Sequence, residues 1–247
     1  MTHNTFMEPM RIAKLMAQRG MCSRREAETL IEWGWVCANG EKILSCATRV
    51  APDAVITLEE QGRRFLSNHV TILLHKPVGF VSGQPEKGYA PAVSLIVPEN
   101  QWKPSNASLP KNLTAGLAPA GRLDIDSQGL LVLTQDGRVA RRLIGGDTKV
   151  DKEYLVRVKG EINEQKLRLL NHGLSLDGRP LKPARVSSLH PNELQFILWE
   201  GRKRQIRRMC ALVGLEVVRL KRVRIGRVTL GRLPYGKWRF LAEGELF

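Results

Sequence analysis

Apolar residues in the first part of the chain recur at helical spacing and then give way to alternation. In MRIAKLMAQRG, Ile12, Leu15 and Met16 share one helical face, and Gly20 supplies a C-terminal stop. A second helix is predicted directly after it. Ser23 and Glu26 form a capping box, Ala27, Leu30 and Ile31 continue the apolar face, and Gly34 ends it. Asn39-Gly40 lies between short β-prone runs in WVCANGEKIL, a two-residue hairpin signal, and PDAVITL offers a further strand. The stretch from Glu59 to Asn68 is polar, contains a glycine and has few β-formers, so it reads as a linker.

From His69 onward the period is mostly two. TILLHKPVGFVS is a strand broken at Pro77 and Gly79. Six of the chain's thirteen prolines then fall between Gln84 and Pro119, with AVSLIV as a short helix-compatible piece. A loop of that length in a compact domain is functional or mobile. LLVLT is a strand closed by Gln135-Asp136-Gly137, and EYLVRV, from Glu153, is another. NEQKLRLLNHGL gives a short helix with Leu167, Leu170 and Leu174 on one face, followed by the strand-like ELQFILWEG. Ile206, Met209, Cys210 and Val213 predict a helix ended by Gly214. In VVRLKRVRIG the alternation runs through Val218 and Leu220 and resumes at Val223 and Ile225 on the other parity, which predicts a β-bulge. Strands outnumber helices without regular βαβ winding, so the fold class is α+β: a small helix-hairpin module, then a mixed, largely antiparallel sheet with flanking helices.

Composition narrows the function. With 43% apolar residues over 247 positions the chain can bury a proper core, and it has no apolar run long enough to span a bilayer. MTHNTFMEPM shows no basic segment followed by an apolar one, so no secretory signal is visible and a cytoplasmic location is expected. Cys22, Cys37, Cys46 and Cys210 form no C-x-x-C pair, which argues against zinc and against a disulfide framework. The net charge is +15, and thirteen Lys or Arg against one acid, Glu216, lie between Gly201 and Phe240. Such a field favours a polyanion, nucleic acid before a membrane surface, because no basic amphipathic helix stands out.

Against that background GRLDIDSQGLLVLTQDG, from Gly121 to Gly137, is anomalous because it sets Asp124 and Asp126 on a glycine-bounded turn. Residues two apart in extended chain share a face, so a metal pair is geometrically open, although His69, His75, His172 and His190 offer no ligand spacing. A glycosidase-like acid/base couple is a second reading, and one reactive acid beside one turn-capping acid a third. An acid in a basic RNA groove opposes binding, which points to reaction.

Two resemblances cover nearly the whole chain. R-x-x-K-x-[LM]-A-x-x-G-x-[CA]-S-R-R-E-A-x-x-L-I with the later N-G and P-D-x-[VI] turn, over about residues 10 to 59, resembles the S-four-type RNA-binding domain. By that resemblance Arg11, Lys14, Arg24 and Arg25 contact RNA phosphates. G-R-L-D at Gly121–Asp124, HKPVG, KEYLV at Lys152–Val156 and GRKRQIRRM at Gly201–Met209 resemble the Rsu/Rlu-type ribosomal RNA pseudouridine synthases.

That resemblance implies an RNA-binding domain at 9–62 and a catalytic domain at 68–247 with a proline-rich insertion at about 84–119. The implied activity converts a specific uridine of ribosomal RNA to pseudouridine, with Asp124 catalytic, Tyr154 against the uracil and Arg207 paired with Asp124. Ile206 forms an apolar floor, Arg122 holds the flipped nucleotide or fills its place, and Lys76, Arg204 and Arg208 bind substrate. No cofactor and no metal are implied, and a monomer is expected to meet an RNA stem-loop or an assembly intermediate. His75 stands where asparagine is commoner, and Arg204 replaces a frequent histidine, a variant resembling the large-subunit branch. The rival readings are a non-catalytic ribosome-assembly RNA binder and a DNA-binding protein; the latter lacks helix-turn-helix or finger patterns.

Overall fold

The computed structural model describes residues 8–86, 88–103, 109, 112–146 and 148–247. It falls into two compact units, one of residues up to Val70 with Thr134–Arg141, the other of Thr71–Leu133 with Arg142–Phe247. The opening MTHNTFM and parts of the proline-rich segment lie outside the described residues.

In the first unit, α1 (Ile12–Gln18) and α2 (Arg24–Glu32) bury Ile12, Met16, Ala27, Leu30 and Ile31 in a common core. The capping box is present in both directions, between the Ser23 hydroxyl and the Glu26 amide and between the Glu26 carboxylate and the Ser23 amide. Strands β1 (Val36–Ala38), β2 (Glu41–Ile43) and β3 (Ile56–Leu58) form an antiparallel sheet around the Asn39-Gly40 turn.

The stretch read as a linker is instead helix α3 (Glu60–Ser67). Its exposed Glu60 pairs with Arg63 and Arg64 contribute little. What holds it is distant in sequence: Phe65 meets Trp33 edge-on at 5.2 Å, Leu66 is buried, and Gly62 packs against Trp35. Segment 134–141 joins this unit through Glu26, whose Oε1 accepts from Gly137 N at 3.1 Å and lies 3.1 Å from His69 Nδ1.

In the second unit the strands are β4 (Thr71–Lys76), β5 (Gln128–Thr134), β6 (Lys152–Lys159), β7 (Arg185–His190), β8 (Glu193–Leu198), β9 (Glu216–Ile225) and β10 (Trp238–Phe240). Their order is β7–β8–β6–β9–β5–β4–β10, with Ala118–Pro119 and Val228–Thr229 added to β5 and β9, nine strands among the described residues. The β9–β5 pair is parallel, while β7–β8, β8–β6, β6–β9 and β10–β4 are antiparallel. Helices α5 (Glu164–Asn171) and α6 (Gln205–Leu212) contribute Leu170, Ile206, Met209 and Cys210 to the core over Val156, Phe196 and Leu220.

β9 shifts register between Arg222 and Arg224, as the parity change implies, and also between Val217 and Arg219. Helix α4 (Gly137–Ile144), which begins in the first unit, was hidden behind Asp136-Gly137: Asp136 is no turn residue but caps the helix by accepting from Arg138 N at 2.8 Å. The described part of the proline-rich segment is tied to β10, with Trp238 Nε1 donating to Val97 O and Trp102 N to Trp238 O.

Two outcomes are expected. Gly129 has φ +113°, and a Cβ there would collide with the Arg222 backbone, so Gly129→Ala should cost at least ~3 kcal/mol in urea unfolding or prevent folding. For Glu26, burial raises the pKa, but contacts from His69, Ser23 and Gly137 outweigh it and bring the carboxyl from 4.5 down to about 2. A folded pKa below the unfolded one gives stability that is present above pH ~4.5 and lost as pH falls toward 2. Wild type should therefore be more stable than Glu26→Gln near neutrality, and the gap should narrow across that acid window in urea titrations followed by Trp33 and Trp35 fluorescence.

Candidate active site

The site grows out of the end of β4. Lys76 is fully buried, and its Nζ donates to three carbonyls: Pro77 at 2.9 Å, Asp124 at 3.2 Å and Ser127 at 2.8 Å. Burial pushes this ammonium down to about 8, opposed by the charges of Asp124 and Asp126. The same loop is held by Ser82, which bonds both the amide and the carbonyl of Leu123, and by Gly79 N donating to Ile125 O at 2.8 Å. Lys76, expected to bind substrate, thus directs its hydrogen bonds to the backbone that carries Asp124. It shapes the loop.

The two aspartates differ in their partners, and Arg207 does not pair as the resemblance implied. Arg207 Nε lies 3.2 Å from Asp126 Oδ2, its Nη2 donates to Asp126 O at 2.8 Å and its Nη1 to Val217 O at 3.1 Å. Its partner is Asp126, and the expected Arg207–Asp124 pair is absent among the described residues. Arg204 grips the same carboxylate with two parallel bonds of 3.2 and 3.0 Å. Arg204 holds this position at the head of α6 with φ 52°, a left-handed backbone that the motif alone does not reveal. Burial would raise the Asp126 pKa, but the Arg204 and Arg207 contacts prevail and lower it, so the pair persists at neutral pH. Asp124 is half-buried and makes no ion pair among the described residues. Its carboxylate is left for other work.

Tyr154 on β6 packs against the core cluster to which buried Ile206 belongs. Its antiparallel neighbour is Arg222, whose Cζ lies 6.0 Å from the ring centre and whose Nη1 donates to Arg122 O at 3.3 Å. Arg222 was not among the expected residues. The signal was present, since position 222 continues the inward parity of Leu220 before the bulge and carries a cation there. Arg122 itself is exposed. Arg208, expected on substrate, is forked onto Asp177 at 2.9 and 2.6 Å, an acid placed beside it by the turn after α5.

A cleft of about 520 Å³ is lined by Lys159, Arg204, Arg207, Leu215 and Val217, with neither Asp124 nor Tyr154 in its walls. In the first unit Arg11, Lys14, Arg24 and Arg25 are all exposed and make no ion pair among the described residues. No cluster of three His, Cys, Asp or Glu suited to a metal occurs among the described residues, and no helix there is long and apolar enough to cross a membrane.

Known proteins resemble this chain over most of its length. Residues 70–212 match the RNA pseudouridylate synthase model, and residues 10–56 match the S4 domain. The chain is 35% identical over 238 residues to the dual-specificity RNA pseudouridine synthase RluF of Escherichia coli, spanning 96% of this chain and 77% of that protein. It is 34% identical over 219 residues to the ribosomal large subunit pseudouridine synthase B of Bacillus subtilis, spanning 85% and 83%. A crystal structure of a pseudouridylate synthase superimposes with a TM-score of 0.64 at 26% identity, over 94% of this chain and 96% of that one. A sheet that presents a carboxylate loop, joined to a small cation-faced module, is here the scaffold of an RNA-modifying isomerase. The chain belongs to the RNA pseudouridylate synthase family.

Because Asp126 ties the loop to α6, Asp126→Asn should lower turnover about ten- to a hundredfold while RNA affinity stays within a few-fold. Single-turnover kinetics and filter binding on the same RNA check this; unchanged turnover would show that the ion pairs do not position Asp124.

Proposed function

We propose that this RNA pseudouridine synthase acts on a uridine of ribosomal RNA, that of the large subunit, with Asp124 as its catalytic carboxylate. The observation that carries the reading is the contrast between the two acids: Asp126 is held by Arg204 and Arg207, while Asp124, on a loop pinned by Lys76, has no ion-pair partner among the described residues. The large-subunit assignment is supported by the name of the Bacillus relative and by Arg204 at its variant position.

In this reading residues 9–62 grip phosphates through Arg11, Lys14, Arg24 and Arg25, and residues 68–247 carry the chemistry. The uridine leaves its stack at a cost of roughly a few kcal/mol, offset by the face of Tyr154 and the floor at Ile206. Asp124 then attacks the anomeric carbon or takes the 2′ proton. The bond from C1′ to N1 breaks, the uracil turns, C1′ bonds to C5, and the C5 proton is lost while N1 regains one. Nothing is oxidised or reduced, so the step calls for no cofactor. Arg207 acts through Asp126, as a positioning residue. The protein works as a cytoplasmic monomer on a stem-loop or an assembly intermediate.

The test is tritium release from large-subunit ribosomal RNA labelled at uracil C5. Asp124→Asn, which keeps shape and removes the ionisable oxygen, should reduce release at least about a thousandfold with RNA affinity within a few-fold. Release at the wild-type rate would place the chemistry on another group.

A further inference from the structure

Arg222 is 3% exposed, yet it has no carboxylate partner among the described residues. Its Nε donates to Leu130 O at 2.8 Å and its Nη1 reaches Arg122 O, while the buried Nη2 has no hydrogen-bond partner among the described residues. A buried cation without a counter-ion is expensive, and packing alone would be served as well by an apolar side chain of similar volume. The charge itself is what this position supplies. The surrounding cations are bonded elsewhere: Lys76 to three carbonyls, Lys152 to the Val150 carbonyl, Arg204 and Arg207 to Asp126. An unpartnered, buried N–H donor therefore remains on the Arg222 guanidinium, whose Cζ lies 6.0 Å from the Tyr154 ring centre and whose Nη1 reaches the Arg122 carbonyl.

We propose that Arg222 is a second catalytic residue, an electrophilic donor that takes up the negative charge developing on the uracil as its bond to the ribose breaks. The inference rests on the Asp124 reading above. When C1′–N1 cleaves, the bonding pair stays on N1 and spreads to O2 and O4, whichever route Asp124 follows. A donor already stripped of water beside the stacking ring meets that charge in a low-dielectric setting, the logic of an oxyanion hole. The uracil then turns and bonds C1′ through C5, its C5 proton departs, N1 is protonated, and the donor is free again. Arg222 neither gains nor loses a proton.

The experiment compares leaving groups. Large-subunit ribosomal RNA transcribed in vitro with uridine, or with 5-fluorouridine throughout, is reacted under single-turnover conditions, and consumption of the nucleoside is read by mass spectrometry after digestion. Fluorine at C5 makes the departing base a weaker base that depends less on a donor. Arg222→Met should slow the uridine reaction about 10²- to 10³-fold and the 5-fluorouridine reaction at least tenfold less. Arg222→Gln, which keeps an amide donor without charge, should show the same trend with a smaller defect and covers the case in which the methionine variant does not fold. Equal defects on both RNAs, in either variant with unaltered thermal unfolding, would overturn the proposal and make Arg222 structural. Asp124→Asn separates the two readings. If it is active, the Asp124 assignment fails; if it is inactive while the Arg222 variants show no leaving-group dependence, only the present inference fails.

Discussion

The structure around the site depends on one buried amine. Lys76 ends a strand and immediately spends its hydrogen bonds on carbonyls of the next turn and of a loop some fifty residues away. Removing an ammonium from water is costly, and three carbonyl acceptors are what make the position tolerable. In return the loop from Gly121 to Gln128 loses its freedom, since its carbonyls converge on one point while Ser82 and Gly79 hold its far edge. The strand order serves the same end. β4 sits beside β5, so the amine and the loop that precedes β5 meet at one end of the sheet, and the β5–β9 contact at Gly129 brings Arg222 under the loop.

The charge of this region also makes sense as a distribution rather than a sum. A chain of +15 attracts polyanions, and in such a field an acid is readily claimed by a neighbouring cation. Asp126 takes two arginines, one of them mostly buried, while Asp124 two residues away makes no ion pair among the described residues. Alternation in the sequence put both acids on one stretch. The long-range approach of α6 distinguishes them.

That distinction is set by long-range contacts. The paired helices, the capping box at Ser23 and Glu26, the Asn39-Gly40 turn and the bulge near Val223 were legible because each is set by residues within a few positions. Helix α3 was not, since its stability comes from Phe65 and Leu66 meeting Trp33 and the first-unit core, and polar composition hid that. Helix α4 was missed because Asp-Gly after a strand suits a turn as well as a cap. Asp124 and Tyr154 stand within recognisable motifs, whereas the hydrogen bonds of Lys76, the partner of Arg207 and the burial of Arg222 depend on which strands become neighbours. No local pattern encodes that.

The Glu26 contact with Gly137 has a further consequence for how the chain is made. The first unit is discontinuous, so a ribosome that has released residues up to Val70 has not yet supplied the segment that completes it. Residues 134–141 follow some seventy positions later, about 4 to 14 s at ordinary rates of synthesis. During that interval the nascent helices can form, but the Glu26 carboxylate lacks the Gly137 donor, and Arg141 has not yet reached the Ala17 carbonyl at the end of α1. Completion of the first unit is thereby timed to the emergence of β5, the strand that follows the Gly121–Gln128 loop.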